Sequence, residues 1–91
     1  MNVKKVAAST NGVLSGVYKI VALKLSAGSD AATAIVYDNA SAQSGDEVAK
    51  LAAVANSNDN LVLPVEAGPM ISNGISVTLS GTGPVLYIYY V

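Results

Sequence analysis

Hydrophobic and polar positions alternate most cleanly near the C-terminus. Ile75, Val77 and Leu79 interleave with Ser76, Thr78 and Ser80. A period of two, with one apolar and one polar side, predicts a half-buried strand. Gly81-Thr82-Gly83-Pro84 interrupts it, because proline has no amide hydrogen to give a central ladder. Four residues is a usual length for joining adjacent strands, so a hairpin-like return into Val85–Val91 is expected. In that second strand both faces are apolar. Val85, Tyr87, Tyr89 and Val91 share one face; Leu86, Ile88 and Tyr90 share the other. Such a strand needs cover on both sides. The core supplies one cover, and a neighbouring subunit is expected to supply the second.

Earlier in the chain, Val3–Ala8 reads as a weak first strand, with residues 1–12 a candidate loosely ordered N-terminal arm. Asn11-Gly12 reads as a turn, since both residues tolerate positive φ. Val17–Leu25 reads as a strand rich in β-branched residues. Strict alternation there puts Tyr18, Ile20 and Ala22 on one face. Val17, Val21, Leu23 and Leu25 fall on the other, with Lys19 among them. Ala31–Tyr37 is a third strand, and residues 38–45 form a loop of small polar residues. Asp46–Ala55 is ambiguous. Ser44 and Glu47 have capping-box spacing, and Val48, Leu51, Ala52 and Ala55 have helical spacing. Alternation of Ala49, Leu51 and Ala53 fits a strand as well. Residues 56–60 read as a polar loop. Leu61–Val65 reads as a short strand, with Pro64 marking an edge or an end, and residues 66–69 as a turn. About seven short strands at near-regular spacing imply an all-β fold, a sandwich or a barrel.

Composition adds to this picture mainly by what is missing. The 91 residues make one domain, 1–91, and contain no cysteine, histidine, tryptophan, phenylalanine or arginine. Without cysteine there is neither a disulfide framework nor a thiolate metal site. Alanine and valine dominate the apolar residues. Small side chains remove little area from water, at about 25 cal/mol per Å², while ordering costs about 1.5 kcal/mol per residue. A short domain of this kind is marginal alone, so a homo-oligomer is expected. The five lysines, Lys4, Lys5, Lys19, Lys24 and Lys50, are scattered along a chain of net charge −1. With no arginine forks and no evident basic patch, no nucleic-acid partner is expected. No apolar run approaches a membrane span of about 18 residues, so no membrane partner is expected either. The apolar part of the first ten residues is too short for a secretory signal. Synthesis in the cytoplasm is the corresponding expectation.

Candidate chemistry is sparse. General-base and nucleophile pairs lack their usual residues, and no Gly-x-Ser-x-Gly elbow occurs. The carboxylates are Asp30, Asp38, Asp46, Glu47, Asp59 and Glu66. Asp46 and Glu47 would point to opposite faces of a strand and so make no acid/base pair. Asn58-Asp59-Asn60 lacks the spaced acidic ladder of a calcium loop. Gly81-Thr82-Gly83 lacks the lysine and helix of a phosphate loop. No catalytic, metal or cofactor-binding residue is therefore assigned, and the chain is not expected to be an enzyme. Tyr18, Tyr37, Tyr87, Tyr89 and Tyr90 are the candidate interface residues, because tyrosine buries a large ring while keeping its hydroxyl wet. Sugar stacking on the same tyrosines gives the alternative of a carbohydrate-binding module.

Several stretches together carry a family resemblance. These are Ser15-Gly16-Val17-Tyr18-Lys19-Ile20-Val21-Ala22-Leu23, Ala34-Ile35-Val36-Tyr37-Asp38-Asn39-Ala40-Ser41-Ala42, and Gly45-Asp46-Glu47-Val48-Ala49-Lys50-Leu51-Ala52-Ala53. Ser72-Asn73-Gly74-Ile75-Ser76-Val77-Thr78-Leu79-Ser80-Gly81 and the tyrosine-rich C-terminal strand complete them. Over residues 13–91 the chain resembles small virion proteins of tailed bacteriophages, of the capsid decoration (cement) or other head-associated type. The resemblance implies a strand for residues 46–54, in place of the helix favoured by local spacing. It implies a small antiparallel β-sandwich, with a jelly roll as one form. It also implies a non-enzymatic structural role on the capsid surface of the virion, with a homotrimer favoured and the phage major capsid protein as partner. A head-fibre or tail-associated component is the alternative within virions.

Overall fold

The computed structural model describes residues 2–62 and 70–91, and the described residues form nine strands and no helix. The strands are β1 (Asn2–Val6), β2 (Thr10–Ser15), β3 (Tyr18–Ser26), β4 (Ala32–Asp38) and β5 (Glu47–Ala53), then β6 (Asn58–Val62), β7 (Met70–Ile71), β8 (Gly74–Ser80) and β9 (Val85–Tyr90). The first sheet has the order β1-β9-β3-β6, with the short β7 also paired to β3. The second has the order β2-β8-β4-β5. Every pairing is antiparallel.

With β7 set aside, β4–β5 is, among the described residues, the only consecutive pair that lies side by side in one sheet; the other consecutive strands alternate between sheets. Two four-stranded sheets connected in this way form an eight-stranded jelly roll. The expected all-β sandwich is thus present, with more strands than the seven expected. The core lies between the sheets. Ile20, Leu23, Leu25, Leu86 and Ile88 face it from the first sheet. Ala34, Val36, Leu51, Ile75 and Val77 face it from the second.

Several local expectations need correction. The C-terminal pair is not a hairpin: β8 lies between β2 and β4, while β9 lies between β1 and β3. Residues 81–84 therefore carry the chain from one sheet to the other. The close approach that permits this is visible at Gly28, where a Cβ would sit 2.0 Å from the Thr82 carbonyl oxygen. Within the first twelve residues, 2–6 form a strand paired to β9, and β2 begins at Thr10. Asn11-Gly12 lies inside β2, at a register shift between Thr10 and Leu14, with Gly12 at φ +63°. The positive φ expected of a turn is used here in a bulged strand. The residues expected as a loop at 56–60 are partly strand, since β6 begins at Asn58. Of the strand expected at 61–65, the segment beyond Val62 lies outside the described residues, as does the turn expected at 66–69.

Strict alternation also fails in β3. Ile20 pairs with Tyr90 and Ala22 with Tyr89, leaving Val21 as an extra residue. A bulge of this kind changes facing midway along a strand. Ile20 therefore joins Leu23 and Leu25 in the core, while Ala22, Lys24 and Ser26 face outwards.

Residues 47–53 form a strand, as the resemblance implies and against the helical spacing. A helical stripe would bury Ala52 and Ala55, and both are exposed. Leu51 and Ala53 are buried instead, opposite Ala34 and Ala32 on β4. Tertiary cover on alternate positions outweighs local helix propensity here. The turn is closed by the Asp38 amide donating to the Asp46 carbonyl at 2.9 Å.

Candidate functional site

The inward alternation of Leu86 and Ile88 on β9 forces Tyr87 and Tyr89 to the outer face of the first sheet. Antiparallel register then sets their neighbours. Tyr89 lies opposite Val3 on β1 and Ala22 on β3, and Ala22 lies opposite Val62 on β6. This makes an apolar row across all four strands, with Val3 55% and Val62 77% exposed at its two ends. One pair step away, Tyr87 lies between Lys5 and Lys24, and Lys24 pairs with Asn60. Cross-strand neighbours on one face are within side-chain reach. The register thus sets a cationic row beside an apolar one.

Lys19 extends this face beyond the bulge. It exchanges backbone hydrogen bonds with Val91: the Lys19 amide donates at 3.1 Å and the Val91 amide at 3.0 Å. The sheet carrying Lys5, Lys19 and Lys24 also carries Asp59 on its edge strand β6, but on the inward parity, opposite Leu25. The Asp59 carboxylate accepts the Ala52 amide of the second sheet at 3.2 Å. An inward-pointing charge on an edge strand also discourages edge-to-edge pairing. Lys4 has the corresponding position on β1, opposite Ile88.

The expected tyrosine set does not form one patch. Tyr18 and Tyr90 meet edge to face, with ring centroids 5.1 Å apart and planes at 84°, and both pack against the core. An aromatic pair of this geometry adds about 0.5–1.5 kcal/mol beyond area burial. Tyr37 belongs to the second sheet, on the outward parity, opposite Ser76 and Glu47. Tyr87 and Tyr89 alone share a face, and both are half-buried. Lysines 5, 19 and 24 were not singled out as site residues by the sequence. Their positions come together only through strand order, which periodicity does not reveal.

The second sheet's outer face has a different character. Ser76 is fully buried despite its outward parity. Its hydroxyl donates to the Asn39 carbonyl at 2.6 Å and accepts the Gly12 amide at 2.9 Å. Thr78 and Gln43 are joined side chain to side chain at 2.7 Å, and Gln43 donates to Asn11 at 2.8 Å. The link from β4 to β5 therefore covers part of this face with hydrogen-bonded polar groups. Asp38 accepts the Asn73 amide at 2.9 Å and the Ser72 amide at 3.2 Å. The Asn73 amide is the largest influence on Asp38, and together these donors hold its carboxyl below the ordinary value against the opposing effect of burial.

Among the described residues there is no pocket and no cluster of three or more potential metal-ligating side chains. No described helix is long and apolar enough to cross a membrane. No family model, curated protein or solved structure matches the chain.

Proposed function

We propose that this chain is a non-enzymatic structural protein of a tailed-phage virion, decorating the capsid surface and stabilising the assembled shell. The observation that carries this reading is the outer face of the first sheet, where Val3 and Val62 remain exposed at the ends of the row through Tyr89 and Ala22. An apolar row that the fold itself leaves partly uncovered fits a binding surface. The jelly-roll connectivity is in keeping with this role, since the architecture is used in viral capsid proteins, although it also serves lectins and other functions. The family resemblance of residues 13–91 adds the capsid and decoration elements of the proposal.

Decoration stabilises a shell by mass action. A protein that binds the expanded, assembled form and not its dissociated subunits shifts the equilibrium towards assembly. The chain needs no reacting group for this purpose. The proposed assembly is a homo-oligomer, with a trimer favoured, seated on the major capsid protein.

The test is co-sedimentation of purified protein with shells assembled from the major capsid protein of the same phage. Saturable pelleting at a fixed ratio, with increased resistance of the shells to heat, is expected. Protein that stays in the supernatant at every concentration overturns the reading.

A further inference from the structure

We propose that the outer face of the first sheet docks on a flat protein surface that is both acidic and apolar, provided by the outside of the assembled shell. This partner assignment rests on the virion reading above. It comes from what the register brings together. Lys5 and Lys24 flank Tyr87, while the next row holds Val3, Tyr89, Ala22 and Val62. The register partners of the two lysines are Tyr87 and Asn60, neither of which is an acid.

Among the described residues, Asp30, Asp38, Glu47 and Asp59 are engaged elsewhere. Asp59 turns inwards to the Ala52 amide. Asp38 ends β4 and Glu47 begins β5, both in the second sheet. Asp30 accepts the Thr82 hydroxyl at 2.5 Å, in the links that join the sheets. Among the described residues, the strand registers thus set Lys5 and Lys24 on the outer face of the first sheet with no carboxylate as register partner, within a chain of net charge −1. A complementary partner supplies carboxylates opposite Lys5 and Lys24 and apolar side chains opposite the valines. Such charge matching contributes to encounter rate and register more than to raw affinity.

Other occupants fit less well. Two copies stacked through this face would juxtapose lysines of like charge. A nucleic-acid strand could pair its phosphates with the lysines, but the aliphatic row offers it no hydrogen bonds, and the described residues form no pocket to hold a base. A protein surface matches both rows at once.

The experiment compares the wild type, Lys5→Glu/Lys24→Glu and Lys50→Glu in the shell co-sedimentation assay. Lys50 lies opposite Ile35 on the second sheet and serves as the charge control. Circular dichroism and thermal unfolding establish that each variant is folded. Because Lys24 is half-buried, Lys24→Gln and a salt titration provide readings that do not depend on the double reversal. The double variant should bind at least about tenfold more weakly, while Lys50→Glu binds like wild type. Wild-type binding should weaken as salt rises from about 0.05 to about 0.5 M. If wild type binds shells but the folded double variant binds equally well, this partner assignment fails and the virion reading stands. If wild type does not bind shells, both fail. A dT30 oligonucleotide and phosphatidylserine vesicles are run as alternative anions. Binding to either as tightly as to shells, lost in the double variant, overturns the assignment to a protein surface.

Discussion

The Ser76 hydroxyl donates to the carbonyl oxygen of Asn39 at 2.6 Å, although Ser76 occupies an outward position on β8. The Ser76 hydroxyl oxygen in turn accepts the Gly12 amide at 2.9 Å. One small side chain thereby joins the β4–β5 link to the bulged strand β2. Its complete burial follows from the cover these two segments provide. Ser76→Ala leaves a donor and an acceptor without their partner. The expected loss is about 1–3 kcal/mol of unfolding free energy, the usual cost of stranding buried polar groups. Urea denaturation measures it. A midpoint unchanged from wild type would show that water replaces the serine without cost.

Gly28 admits no methyl group without movement of the backbone, since the Thr82 carbonyl oxygen lies 2.0 Å from where a Cβ would stand. Gly28→Ala should therefore destabilise the protein by about 1–3 kcal/mol, as overpacking does. For a domain of this size, each lost kcal/mol lowers the melting temperature by about 4–8 °C. Thermal unfolding followed by circular dichroism gives the comparison. A melting temperature equal to wild type would contradict the close crossing of the 81–84 link.

The Asp38 carboxylate gives the fold a defined acid dependence. Its folded-state pKa is lowered, first by the Asn73 amide and then by the Ser72 and Gly74 amides, while burial opposes them. A lowered folded pKa means that this contribution is fully present above the unfolded value of about 3.9 and is lost as pH falls through the folded value. Asp38→Asn should be less stable than wild type at neutral pH, with the difference shrinking below about pH 4. Denaturant titrations across that range test this. A difference independent of pH would assign the stabilisation to something other than the charge.

Asp59 carries a prediction about a sheet edge. Its carboxylate accepts the Ala52 amide across the gap between β6 and β5. In Asp59→Ala, the Ala52 amide should exchange with solvent faster, whereas amides in the β4–β8 ladder should retain their protection. Residue-resolved hydrogen exchange reads both at once. Equal acceleration everywhere would indicate global destabilisation instead of a freed edge.

The sequence was most informative where one face of a strand is dry and the other is not. Ile75, Val77 and Leu79 alternate with Ser76, Thr78 and Ser80 as expected, and the first two apolar residues are fully buried. It was least informative where an extra residue changes the facing. Val21 in β3 does this, and periodicity alone cannot locate the change. The hairpin expectation at 81–84 failed because link length is compatible with both a hairpin return and a crossing between sheets. Spacing at 46–55 favoured a helix, whereas pairing with β4 favoured a strand, and the paired form buries Leu51 and Ala53. The candidate face was legible only in its parts. Tyr87 and Tyr89 were evident as neighbours on one strand face, but Lys5 and Lys24 belong beside Tyr87 only because β9 lies between β1 and β3.

Tyr89 tests the apolar row by itself. It is half-buried between Val3 and Ala22, so Tyr89→Lys should fold with a loss within about 2 kcal/mol, as expected for a change away from the core. Its binding to shells should fall by at least about tenfold, as for loss of a central aromatic anchor. Wild-type affinity in the folded variant would remove Tyr89 from the contact.

An electron cryo-microscopy reconstruction of shells saturated with the protein tests the central claim most directly. The predicted result places the face bearing Val3, Tyr87 and Tyr89 against the capsid protein, with Lys5 and Lys24 within reach of its carboxylates. A reconstruction in which that face points to solvent, while the second sheet or a sandwich end contacts the shell, would contradict it.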